Sequence, residues 1–344
     1  MEYRTMGSSG LKVSELSFGT GTFGGDHPFF NKWGHTGTGE ATRFVELCVD
    51  HGINLFDTAD VYSSGQSEEI LGKALKGRRD RVLISTKASF RFSDDPNDVG
   101  HSRHHLLNSV EDSLKRLETD WIDLFILHGF DATTSVDETV KTLETLVQSG
   151  KVRAVGCSNY SGWHTMKTLA AQDRFSFSRL CAQQVHYSLL FRQMEWELMP
   201  LALDQNLGTL VWGPLAQGRL TGKIRPGKAA SEGRVAAGAA EGPDVSESVF
   251  ARVLGALESV ASEAGKSVAQ VALAWLLTRP SVSTVILGAR TEAQLLDNMG
   301  AVGWSLTQKQ IELIDRASET PPIYPYWHQR GFSERNPLPV PTYL

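Results

Sequence analysis

Short, continuously apolar runs alternate with longer amphipathic stretches along almost the whole 344-residue chain. Residues 15–18 (ELSF) lead into a glycine-rich turn, 40–50 read as an amphipathic helix, and 53–56 (INLF) read as the next strand. The alternation continues with helical stretches at 67–75, 104–117, 136–148, 163–172 and 195–203. These are followed by strands at 82–85, 121–127, 152–156, 180–185 and 207–212 respectively. A long helical region, 245–277, precedes the strand 282–287, and Leu295 with its neighbours and then 307–316 form closing helices. Gly150 stands where a helix end favours glycine. Strands apolar throughout suit a parallel sheet covered on both faces. Eight strands, nearly every one followed by a helix, predict an α/β fold, a (β/α)₈ TIM barrel with insertions. An open doubly wound sheet is the rival for the same alternation. No break in composition and no linker interrupts it, so 1–344 is expected to be a single domain.

Two segments stand outside the pattern. Residues 217–243 are rich in Gly and Ala, lack aromatics and follow the seventh strand, on the face where barrels carry their chemistry. A lid and a disordered insertion are both open readings of it. The tail, 320–344, holds six of the 13 prolines together with Tyr324, Tyr326 and Trp327. It is expected to be non-helical and to lie across the barrel mouth.

Composition narrows the function. Hydrophobic residues at 41% and charged ones at 21% describe a globular protein, not a disordered or fibrous one. The 34 basic against 39 acidic residues, with no basic run, argue against a nucleic-acid partner. No apolar leader and no run long enough for a spanning helix are expected. Cys48, Cys157 and Cys181 have no CxxC spacing. They read as buried inert thiols and fit a reducing cytoplasm.

Residues 19–24 (GTGTFG) match a dinucleotide fingerprint after a strand. That fingerprint needs a helix to start at the turn. Pro28 and the aromatic and glycine residues that follow deny it one. A turn that lets backbone approach a ligand is left open.

The chemistry gathers at strand ends. Asp57 and Tyr62 follow the second strand, Lys87 the third and His128 the fourth. In a barrel these side chains would share one bowl. Singly, each has a structural explanation: a turn cap, packing, a snorkelling lysine, a core histidine. Jointly they suit carbonyl reduction. A carbonyl accepting hydride needs a proton on oxygen, and tyrosine is a sluggish acid unless a cation stabilises its phenolate. Lys87 supplies that charge, Asp57 holds Lys87, and His128 donates a hydrogen bond to the carbonyl oxygen. Hydride itself requires a cofactor.

The segments FDTADVYSSGQSEEILG, STK, ETDWIDLFILH, GKVRAVGCSNYS and VILGARTEAQLLDN resemble the aldo-keto reductase superfamily from about Leu11 to Arg316. GQSEE (65–69) and VWGPLAQGRLTGK resemble its bacterial branch related to the potassium-channel β subunits. The resemblance implies NADP(H) as cofactor and the tetrad Asp57, Tyr62, Lys87 and His128. It also implies cofactor contacts: Gly19, Thr20 and Gly21 beneath the nicotinamide, Ser158, Asn159 and Gln184 at its carboxamide, and Asp57 as a further contact. Trp212 would stack on its ring. Gly213, Pro214, Leu215, Gly218 and Lys223 would run along the pyrophosphate, and Gly288, Arg290, Gln294 and Asn298 would line the adenosine end. Ser158 and Asn159 read equally as a helix N-cap pair. Arg290 is expected to be the only strong cation for a 2′-phosphate. The function implied is NADPH-dependent reduction of an aldehyde or ketone, reversible, on a small carbonyl or alcohol substrate. The alternative is a regulatory module that binds NADP(H) with little turnover. His101, His104 and His105 could hold zinc by residue type, but solvated histidines without metal are expected. Phe29, Phe30, Trp33 and Phe130 are expected either to line an apolar pocket or to pack their loops.

Overall fold

The computed structural model describes residues 1–25, 27–230, 233–239 and 242–332, without the side chain of Arg330. The apolar runs pair as strands. Preceding them, β1 (Tyr3–Thr5) and β2 (Lys12–Ser14) form an antiparallel hairpin. Then come β3 (Leu16–Gly19), β4 (Leu55–Asp57), β5 (Leu83–Ala88), β6 (Ile122–Leu127), β7 (Val152–Ser158), β8 (Ala182–His186), β9 (Gly208–Trp212) and β10 (Val282–Leu287). These eight form one closed barrel in chain order, every pair parallel, with β10 returning to β3. The open-sheet rival is excluded by that closure.

Amphipathic stretches become the outer ring: α1 (Thr38–Asp50), α2 (Gln66–Ala74), α3 (Arg103–Arg116), α4 (Val136–Gln148), α5 (Gly162–Phe175) and α6 (Leu198–Gln205). After β9 follow α7 (Gly233–Ala236), α8 (Glu247–Ala264) and α9 (Val268–Leu277). After β10 follow α10 (Glu292–Met299), α11 (Gln308–Ser318) and α12 (Tyr326–Arg330). Ser102, Ser135 and Ser161 cap α3, α4 and α5 by accepting from the third residue of each helix. No described helix is long and apolar enough to cross a membrane.

The chain departs from the sequence reading in several places. The region 245–277 is two helices, because Gly265 ends α8 at φ +62° and Ser267 with Gln270 forms a capping box that starts α9. The strands carrying Asp57, Lys87 and Ser158 run past their apolar cores, because these polar side chains are buried by the site itself. The tail contains α12, in the proline-free stretch after Pro325. Its Tyr326 ring stacks on Trp196 at 5.8 Å, and no described tail residue lines the cleft at the barrel mouth. The remainder of the tail, 333–344, lies outside the described residues.

The hairpin, unpredicted because its strands are only three residues long, plugs the barrel's other end. Arg4 donates to the carbonyls of Val282 and Leu277 at 2.8 and 3.0 Å. Met6, fully buried, packs with Leu55, Leu124 and Leu210 inside the barrel. Gly7 follows at φ +51°, where a Cβ would stand 2.6 Å from the Asn206 carbonyl and 2.8 Å from the Gly208 nitrogen. Gly7→Ala is therefore expected to lose about 2–4 kcal/mol of unfolding free energy, through left-handed strain and overpacking together. Urea unfolding measures it; a loss below about 0.5 kcal/mol, typical of a neutral surface change, would refute the plug.

Candidate active site

The C-terminal ends of the strands open into one cleft of about 1430 Å³. Strand register explains why polar side chains meet there. Asp57 pairs in register with Gly19 and Ser85, and Ser158 pairs with Gln184. Asp57 Oδ2 accepts from Lys87 Nζ at 2.8 Å. Its Oδ1 accepts from Ser85 Oγ at 2.7 Å and from Gln184 Nε2 at 2.9 Å. Lys87 Nζ also donates to the Thr58 carbonyl at 2.6 Å and to Tyr62 Oη at 3.4 Å. The Lys87 side chain is fully buried. Burial alone would lower its pKa; the charges and hydrogen bonds of Asp57 and Tyr62 outweigh that and raise it.

Tyr62 is aimed by its turn. Asp60 Oδ1 accepts from the Val61 N–H at 2.6 Å. Ser63, Ser64 and Gly65 then take left-handed φ values of 49°, 54° and 90°. At Gly65 a Cβ would stand 2.8 Å from Arg116 Cδ, so only glycine fits without a shift. The His128 ring stands 5.8 Å from the Tyr62 ring and 4.3 Å from Phe90. Burial, and secondarily the Lys87 charge, hold its pKa well below the ordinary value. His128 is thus a neutral imidazole, a hydrogen-bonding group rather than a charged acid.

Of the other residues singled out in the sequence, Gly19, Gly21, Ser158, Asn159, Gln184, Trp212, Gly213, Pro214, Leu215, Gly218 and Lys223 line the cleft, as do Gly288, Arg290, Gln294 and Asn298. Thr20 does not. It is buried, with its hydroxyl 2.7 Å from Ser67 Oγ, and braces the turn. Lys87 lies behind Tyr62 rather than on the surface of the cleft. Ser158 and Asn159 are not the helix cap, because Ser161 fills that role. Asn159 bridges two neighbours instead, accepting from Trp212 Nε1 at 3.2 Å and donating to the His128 carbonyl at 3.0 Å.

Arg290 is not the only cation at its end of the cleft. Arg234 Nη2 comes within 4.0 Å of where a Gly288 Cβ would stand, and Lys223, Arg225 and Lys228 line the same cleft. Among the described residues, Glu292 pairs with Arg43, with Nη2–Oε2 at 3.0 Å, and Asp297 accepts from Ser267 and Gln270. No ion pair of Arg290 occurs among the described residues.

Described residues between 217 and 242 line the cleft, with Arg234 over the Trp33 ring at 4.0 Å. Ser231, Glu232, Ala240 and Glu241 lie outside the described residues. Phe29, Phe30 and Trp33 line the cleft, whereas Phe130 stacks on His164 at 3.6 Å away from it. Phe90 lines the cleft and was missed, although it lies only three residues beyond Lys87. Arg234 had no signal in its Gly/Ala-rich surroundings.

His101 and His105 are buried, not solvated. His101 Nε2 lies 2.8 Å from Ser89 Oγ, which accepts from the His128 N–H at 3.0 Å. Burial lowers His101 to about 4. His105 Nδ1 meets Asp98 at 3.0 Å. No His/Cys/Asp/Glu group suited to a metal occurs among the described residues. All three cysteines are buried, and burial pushes the thiols up, Cys157 to about 12 and Cys181 to about 11.

The residues present fit a nicotinamide dinucleotide. Ser158 Oγ is buried with no hydrogen-bond partner among the described residues, and several cations line the same cleft. The family model described as aldo/keto reductase matches residues 15–319. The chain is 37% identical over 340 residues to the uncharacterized oxidoreductase YrpG of Bacillus subtilis (strain 168), covering 94% of this chain and 99% of that one. It is 36% identical to a probable voltage-gated potassium channel subunit beta of Arabidopsis thaliana, with the same coverage. It is 33% identical to the L-glyceraldehyde 3-phosphate reductase of Escherichia coli (strain K12), over 92% of both chains.

Lys87 is expected to be a stability element as well. Its pKa is raised on folding, so its contribution is complete below the unfolded value of 10.5 and is lost as pH climbs through the higher folded value. Lys87→Met leaves Asp57 buried without its cation and is expected to lose about 3–5 kcal/mol near pH 7. The gap between parent and variant should narrow above pH 10.5. A urea-unfolding series across pH checks both; a gap that widens at alkaline pH would contradict the ion pair.

Proposed function

The chain belongs to the aldo/keto reductase family of oxidoreductases, and from that membership we propose that it reduces an aldehyde or ketone reversibly, using NADP(H), with Tyr62 as general acid. The observation that carries the proposal is the buried Lys87 ammonium, held between Asp57 Oδ2 at 2.8 Å and Tyr62 Oη at 3.4 Å. A proton leaving Tyr62 for the carbonyl oxygen leaves a phenolate beside that ammonium, which stabilises it. Asp57 keeps Lys87 charged and in place. His128, neutral, donates one N–H to the same oxygen and steadies its growing charge. Bound NADPH supplies the hydride to the carbonyl carbon. Ser158, Asn159 and Gln184 offer donors and acceptors for its carboxamide, and Trp212 offers a face for its ring. Gly213 to Lys223 and Gly288 to Asn298 hold the remainder, with Arg290 at the 2′-phosphate. Phe29, Phe30, Trp33 and Phe90 surround the substrate and keep water from it. The partner is thus a small carbonyl or alcohol compound. The buried free thiols suit a reducing compartment, and we assign the protein to the cytoplasm.

The relative named a potassium channel subunit beta favours a second reading, an NADP(H)-binding regulatory module with little turnover. Loss of NADPH absorbance with 4-nitrobenzaldehyde separates the two: steady consumption supports the reductase, and cofactor binding without consumption across an aldehyde panel supports the module.

Tyr62→Phe is expected to lower kcat by at least about 10²-fold, the scale of a lost general acid, with the NADPH dissociation constant nearly unchanged. Retention of more than about half of kcat would remove Tyr62 from that role.

Arg290→Ala is expected to weaken NADPH binding by about tenfold. That is the low end for a charged hydrogen bond, because Arg234 is close enough to compensate in part. NADH, lacking the phosphate, should lose almost nothing. Fluorescence titrations with both cofactors check this; equal losses would refute the assignment.

A further inference from the structure

We infer that Arg234 ties the wall of the substrate compartment to the phosphate-bearing end of the cofactor cleft, so that occupancy of one sets the other. The inference rests on the NADP(H) reading above. Arg234, half-buried on α7, lies with Cζ 4.0 Å from the centre of the Trp33 ring. Its Nη2 reaches within 4.0 Å of where a Gly288 Cβ would stand, and Arg290 Nη2 reaches within 3.8 Å of where a Gly233 Cβ would stand. Two guanidinium groups from different segments therefore converge on one stretch of the cleft. That is an arrangement suited to an anion.

Trp33 is no bystander. Its Cε3 stands 2.9 Å from where a Gly21 Cβ would lie, so the indole rests directly on the first-strand turn. Its ring centre is 5.3 Å from Phe30 and 6.2 Å from Tyr62, and Phe30 is itself 5.5 Å from Tyr62. The Trp33 Nε1 is buried without a hydrogen-bond partner among the described residues. Ring contacts rather than a hydrogen bond hold the indole, and Arg234 is one of those contacts. A guanidinium can serve both ends at once: its face lies on an aromatic ring while its N–H edge addresses a phosphate. A phosphate that captures the edge fixes the plane of the group, and with it the position of Trp33 beside Tyr62. Arg234 is accordingly a specificity-determining residue for substrate as well as for cofactor.

The test uses the full chain with 2′-phospho-ADP-ribose and ADP-ribose, which probe the adenosine end without a nicotinamide. The emission of Trp33 is read as parent minus Trp33→Phe, at probe concentrations that saturate each variant by calorimetry. The phosphorylated probe is expected to change Trp33 emission in the parent and in Arg290→Ala, but not in Arg234→Met, and ADP-ribose should change it in none. In turnover, Arg234→Met should raise KM for 4-nitrobenzaldehyde about two- to fivefold with NADPH, the scale of one lost cation–π contact, and raise it less with NADH, where no 2′-phosphate fixes the guanidinium. A response that persists in Arg234→Met, equal responses to both probes, or no response in a parent that binds the phosphorylated probe would overturn the coupling and leave the NADP(H) reading standing. Failure of the phosphorylated probe to bind the parent would overturn both.

Discussion

A lysine ammonium with no exposed surface dictates much of this structure. An isolated charge at that depth would be prohibitively unstable, so Lys87 requires Asp57 at 2.8 Å, and Asp57 in turn requires Ser85 and Gln184 to satisfy its second oxygen. These residues come from β4, β5 and β8, and they meet only because the barrel closes with Asp57 in register with Ser85. The pair is thus a geometric demand on the sheet as much as a piece of chemistry. Tyr62 completes it. The strained run Ser63–Ser64–Gly65, with each φ in the left-handed region, is the local conformational expense of pointing that hydroxyl at the ammonium.

Around this centre the cleft divides by chemistry. Next to Tyr62 and His128 stand rings: Phe29, Phe30, Trp33 and Phe90. The same cleft holds cations: Lys223, Arg225, Lys228 and Arg290, with Arg234 on the Trp33 ring where the two groups meet. The low dielectric of the first part strengthens every charge interaction within it, while the second part holds the charge that a phosphorylated ligand would need. Described residues between 217 and 242 line both parts, and Arg234 among them reaches Trp33 of the first βα loop.

Other polar groups form tethers rather than reactive centres. Ser89 lies between His101 and the His128 N–H, and Asn159 joins the Trp212 indole to the His128 carbonyl. His128 is therefore gripped through its backbone from both sides, which leaves its ring free to face the cleft. Of the three histidines that suggested a metal by residue type, His101 is absorbed into this support.

The alternation of apolar runs and amphipathic stretches was enough to specify eight parallel strands and their helices, because burial on both faces makes each strand a mainly apolar run. It was also enough to place Asp57, Lys87 and His128 together, since strand ends in a barrel share one rim. Local capping at Gly265 and Ser267 was present in the chain as well, though a long helical period obscured it. Other features depended on contacts between residues far apart in sequence. The partners of Asn159 and Gln184, the burial of His101 and His105, the inward-facing brace made by Thr20 and the placement of Arg234 over Trp33 are of this kind. A sequence lists donors, rings and charges, and its periodicity says which strand or helix carries them. Which of them meet across the cleft depends on barrel closure and on how an insertion without hydrophobic periodicity folds back, and both are decided only when the chain is packed.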